Sequence, residues 1–139
     1  MKIFDCFMYF DEDVILDVRL NTLHEYVDYF IIVESCFTHK GDKRDLKFNL
    51  DNFAKFKEKI IYLIYDKEPV QVDPIIKGDD ENLKNHKSIF NASYRENGQR
   101  NFIIEGIKNA EDNDIILVSD IDEIPNLENI NFKDFKEKL

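Results

Sequence analysis

The chain has 139 residues, 43% of them hydrophobic and 13% aromatic, with only four Gly and three Pro; that is the make-up of one folded domain and excludes a disordered or low-complexity chain. A formal net charge of -10 argues against nucleic acid and anionic membrane surfaces as partners, because both are recognised through cationic patches. An anionic ligand would need a cation beside it.

The first apolar run, Ile3 to Phe10, reads as a strand. No signal-peptide pattern precedes it and no stretch reaches the ~18 apolar residues of a membrane span, so the expected location is cytoplasmic. From Asp13 to Val27, Leu16, Leu20, Leu23 and Val27 recur at helical spacing with charged residues opposite. A second strand follows from Tyr29 to Val33, giving a β-α-β unit. Asn52 to Lys59 predicts a short helix with Phe53 and Phe56 on one face, before a third strand from Ile60 to Tyr65.

Residues 67–94 are polar and weakly periodic, and predict a surface excursion or mobile loop. Glu96 to Ala110 then predicts a helix with Ile103, Ile107 and Ala110 on its apolar face, leading into a fourth strand from Ile115 to Val118. The chain closes on an amphipathic stretch, Phe132 to Leu139. Continuous apolar strands alternating with helices predict one domain over residues 1–139, a doubly wound, mostly parallel, Rossmann-like α/β sheet.

The two cysteines, Cys6 and Cys36, lack zinc-site spacing and read as free buried thiols. The sequon Asn91-Ala92-Ser93 has meaning only in a secreted protein.

Open α/β sheets bind ligands beyond the carboxyl ends of their strands. Each such end here carries acids: Asp11 and Glu12, Glu34, Asp66, and finally Asp120 and Asp122. Asp-x-Asp occurs at 11–13, 112–114 and 120–122. The first opens a helix, where Asp serves as N-cap and as a charge favoured by the helix dipole. The second precedes its strand and reads as a turn. Only the third leaves the carboxyl end of a buried strand, where residues i and i+2 of an extended chain project to the same side. Two converging carboxylates suit Mg²⁺ or Mn²⁺, hard cations that keep coordination positions for a diphosphate; the alternative is a solvated acidic turn held by Pro125. Arg95 and Arg100 are candidates for charge-assisted phosphate contacts, or are surface arginines on a helix.

Several segments together resemble glycosyltransferase family 17: Phe4-Asp5-Cys6-Phe7, Leu16-Asp17-Val18-Arg19-Leu20, Val27-Asp28-Tyr29-Phe30, Val33-Glu34-Ser35 with Phe37-Thr38 and Gly41, Leu46-Lys47-Phe48, Gln99-Arg100-Asn101 and Ser119-Asp120-Ile121-Asp122-Glu123-Ile124-Pro125. The resemblance implies a GT-A fold, a UDP-sugar donor carrying N-acetylglucosamine, and inversion at the anomeric carbon. It implies Asp120 and Asp122 as ligands of Mn²⁺ or Mg²⁺, with Glu34, Arg100 and Asp120 contacting the donor and a glycan or glycoconjugate as acceptor. Animal members are membrane-anchored Golgi proteins, whereas no anchor is read here. The catalytic base is not evident in these residues, which leaves open a donor-binding domain without turnover of its own, or one completed by a partner chain. A third possibility is a haloacid-dehalogenase-like phosphohydrolase with Asp120 as nucleophile.

Overall fold

A computed structural model describes residues 1–132, so of the closing amphipathic stretch all but Phe132 lies outside the described residues. Four strands, β1 (Ile3–Tyr9), β2 (Tyr29–Ser35), β3 (Ile60–Tyr65) and β4 (Ile115–Val118), form one sheet in the order β3-β2-β1-β4. All three pairings are parallel, as near-continuous apolar strands demand when both sheet faces are covered.

The period of two divides the core cleanly. Phe7 and Tyr9 of β1 and Phe30 and Ile32 of β2 pack against Leu16, Leu20 and Leu23 of helix α1 (Asp13–Leu23) on one face. On the other, Phe4 and Cys6 join Ile31, Val33, Tyr65 and Ile103. Helical segments thus cover both faces, and the expected α/β sheet is observed.

The elements between the strands depart from expectation in instructive ways. Helix α1 ends at Leu23, although Val27 is buried as expected. The Asp-x-Asp at 11–13 does not cap it: the N-cap is Glu12, with no side-chain cap bond, and the Asp13 carboxylate instead accepts from the Tyr9 hydroxyl at 2.5 Å. The short helix before β3 is a 3₁₀ segment, Leu50–Phe56, which still buries Phe53 and Phe56.

The largest difference concerns residues 67–94, where only 67–80 is loop. Helix α2 (Glu81–Asn101) begins at the Asp80 N-cap, whose carboxylate accepts from Leu83 N at 2.8 Å, and ends in a 3₁₀ turn, Phe102–Glu105. Its first half carries no apolar stripe because most of it faces solvent; Asn91 and Gln99 are its only buried residues, so hydrophobic periodicity had nothing to report. Gly98 lets this helix approach the sheet: a Cβ there would lie 2.3 Å from the Tyr65 hydroxyl. Both cysteines are free, Cys6 fully buried and Cys36 partly so. No helix among the described residues is long and apolar enough to cross a membrane.

Candidate active site

The chain winds from β1 through β2 to β3 in one direction and then returns to place β4 on the other side of β1. The carboxyl ends of β1 and β4 are therefore the switch point of the sheet, where connections leave in opposite directions and a crevice opens. A cleft of about 640 Å³ lies there, lined by Tyr9 at the end of β1 and Phe10 just after it, Ser35 at the end of β2, Gln99 and Arg100 of α2, and Asp120 and Asp122 after β4.

The two aspartates reach the cleft by a different route from strand alternation. β4 stops at Val118, and Asp120 to Glu123 is a tight turn closed by Glu123 N donating to Asp120 O at 3.0 Å. Glu123 Oε2 accepts from Asp120 N at 3.1 Å, and the Ser119 hydroxyl donates to Glu123 O at 3.1 Å. Ile121 is buried between the acids and pins the turn to the core. Arg100 reaches Asp120 Oδ1 at 3.1 Å and Glu96 Oε1 at 3.2 Å.

Beneath this turn lies a buried cation that no strand-end position marks. Arg19 of α1 is 0% exposed. Its Nε and Nη2 donate to Asp5 Oδ2 and Oδ1 at 2.8 and 2.7 Å, a bidentate pair. Its remaining N–H groups donate to Ser119 Oγ at 2.7 Å, Asp120 O at 2.7 Å and Ile121 O at 3.0 Å, and the guanidinium sits 4.6 Å from the centre of the Phe7 ring. The signal was present: Arg19 falls within the apolar stripe of α1, and Asp5 interrupts an apolar strand. Two buried misfits of opposite charge belong together.

Glu34 stands apart from these groups. It lies within β2, fully buried, and its oxygens already accept from Lys47 N at 2.7 Å, Phe48 N at 3.1 Å and the Tyr62 hydroxyl at 2.7 Å, with Arg44 paired at 2.9 Å. Burial, and then this hydrogen bond to Glu34, push the Tyr62 phenol well above its usual range. Glu34 thereby anchors the 44–48 segment, and Arg44 in turn donates to Ser35 O at 2.8 Å and to Phe10 O at the cleft. Arg95 is likewise a staple: it pairs with Glu68 at 2.5 Å and donates to His39 O at 3.1 Å. Gly41, at φ +97°, lies under its guanidinium, where a Cβ would be 2.6 Å from a terminal nitrogen. At 112–114 the turn is as expected; Asp114 accepts from Lys2 N at 2.6 Å and Glu111 N at 2.9 Å, which, with the Glu111 amide bond foremost, hold its carboxyl below the usual range.

A parallel α/β sheet with two acids and an arginine lining its switch-point cleft defines a domain of the Rossmann-like class. The model of glycosyltransferase family 17 matches residues 1–137, and the chain belongs to that family. The beta-1,4-mannosyl-glycoprotein 4-beta-N-acetylglucosaminyltransferases of Homo sapiens and Rattus norvegicus are each 30% identical to it over 115 residues, 80% of this chain and 19% of theirs. The chain thus spans about a fifth of the length of these relatives. No solved structure matches it.

Proposed function

We propose that the cleft binds the diphosphate of a UDP-sugar, and that the chain serves as the donor-binding part of a glycosyltransferase delivering N-acetylglucosamine to a glycan acceptor. The observation that carries this reading is the convergence of Asp120, Asp122 and Arg100 on the switch-point cleft. Family membership supplies the reaction class, and the names of the two relatives supply the sugar.

The donor set fits a divalent cation of the Mg²⁺ or Mn²⁺ kind. Asp120 and Asp122 offer oxygen ligands from one turn, while the Glu123 carboxylate is spent on Asp120 N. Among the described residues no group of three or more His, Cys, Asp or Glu side chains could enclose a metal. Two carboxylates with open positions suit an ion that completes its shell with water and phosphate oxygens, whereas a closed structural site needs more protein ligands. When bound, such an ion neutralises the charge that develops on the departing nucleoside diphosphate.

The chain's own residues do the rest. Asp120 and Asp122 hold the ion, Arg100 adds a second positive charge toward the phosphates, and Tyr9, Phe10 and Ile121 supply apolar lining for the remainder of the donor. Glu34 acts at one remove, by fixing the loop that carries Arg44. Family membership sets aside the phosphohydrolase alternative.

Calorimetric titration of UDP-N-acetylglucosamine with and without Mn²⁺ tests the reading. Metal-dependent binding, lost in Asp122→Ala, is the expected result; binding indifferent to chelation of the metal would overturn the assignment.

A further inference from the structure

We infer that Arg19 is a positioning residue for the Asp120–Asp122 turn, holding the two carboxylates ready for cation and donor from beneath; this rests on the donor-binding reading above. A guanidinium carries five N–H donors in a rigid plane. Here all five are used: two on Asp5, one on Ser119 Oγ, and one each on the carbonyls of Asp120 and Ile121, with Glu123 O a further 3.4 Å contact.

That division of labour has a physical consequence. Drawing carbonyl oxygens of the turn inward onto one buried cation sets its peptide planes, and the Asp120 and Asp122 side chains are left lining the cleft. Asp5, itself 0% exposed, neutralises the guanidinium, so the support adds no net charge that would repel an incoming cation. Asp5 sits on the interior strand β1 and Arg19 on α1, both 0% exposed, while β4 is a four-residue edge strand. The site is therefore tied to the buried core through Arg19 and Asp5. Removing the hydrogen-bond partners of metal-ligating side chains costs roughly 10- to 100-fold in metal affinity, and Arg19 acts one step further back, through the backbone that carries the two acids.

A single truncation of Arg19 would strand the Asp5 charge and unfold the chain for reasons unrelated to the site. The test is therefore the paired variant Asp5→Leu with Arg19→Met, which removes both charges and keeps apolar volume, alongside Arg19→Lys, whose three donors can serve Asp5 but cannot also span the turn. Amide hydrogen exchange is read at residues 119–123 and across β1 to β3, and Mn²⁺-dependent UDP binding is measured by calorimetry. The expected result is a variant whose sheet amides stay protected while those of Asp120 and Glu123 exchange faster, with UDP binding weakened at least ~10-fold. If the paired variant does not fold, Arg19→Lys is expected to show the same local loosening. Unchanged exchange at 119–123 in a folded variant, or unchanged UDP affinity where the parent binds UDP, overturns the inference. A parent chain that binds no UDP defeats the donor reading instead, and the exchange arm still decides the role of Arg19.

Discussion

Arg100 Nη2 lies 3.1 Å from Asp120 Oδ1, so a cation fixed to helix α2 already occupies one face of the acid expected to bind a metal. On the proposed reading, a bound metal ion would compete with Arg100 for Asp120 until an anionic donor shared both charges, so Arg100 would have opposite effects on the two ligands. In Arg100→Ala, UDP binding in the presence of Mn²⁺ should weaken about tenfold, the loss of one charge-assisted contact. Binding of Mn²⁺ alone should hold or improve. Because the Arg100 side chain is 41% exposed, thermal stability should move by no more than ~0.5 kcal/mol. Separate calorimetric titrations with MnCl₂ and with UDP check both directions.

Glu34 should matter more for stability than for ligand contact. Replacing it by Ala strands Arg44 and frees the amides of Lys47 and Phe48 together with the Tyr62 hydroxyl. Breaking a buried pair from one side costs ~3–5 kcal/mol, to be read from urea unfolding. In the milder Glu34→Gln, the carboxylate that helps push Tyr62 up is gone, so the phenol should ionise at lower pH in a spectrophotometric titration.

Gly41→Ala isolates a backbone requirement. The position has φ +97° and a Cβ would meet the Arg95 guanidinium at 2.6 Å. A substitution at such a site costs more than ~1 kcal/mol. The urea midpoint should fall accordingly, and adding Arg95→Ala should recover the steric part of the loss but not the backbone part.

Alkaline pH should destabilise the chain through Cys6. Burial foremost, and then the Asp5 charge, push its thiol from 9.0 up to about 12. A raised value in the folded state means that the contribution is intact below pH 9 and is lost as pH climbs from 9 toward 12, by up to ~1.4 kcal/mol per pH unit. Unfolding free energy measured from pH 8 to 11 should therefore decline, and less steeply in Cys6→Ala.

Much of the fold was legible in the residues alone. Four apolar runs became four strands with little change in their bounds, since a strand covered on both faces must be apolar throughout. Leu16, Leu20 and Leu23 became the buried stripe of α1 for the corresponding reason at a period of 3.6. The three Asp-x-Asp matches could be ranked by which end of a strand each occupied, and the structure brings the favoured one to the cleft.

What the chain could not reveal on its own depended on contacts between distant residues. Helix α2 was invisible over its first half because solvent, not a core, faces it. Glu34 looked like a residue at an open strand end, and only the return of 44–48 and of Tyr62 across it turned it into an internal anchor. Asp120 and Asp122 were expected to converge by strand alternation; they lie instead on a turn whose shape is imposed by Arg19, roughly a hundred residues earlier. Local sequence determined the periodicities and the chemistry of the acids, because those depend on neighbours along the chain. The direction in which the acids face was decided by tertiary structure, because a buried guanidinium is satisfied only by donor-acceptor pairs that the folded sheet assembles.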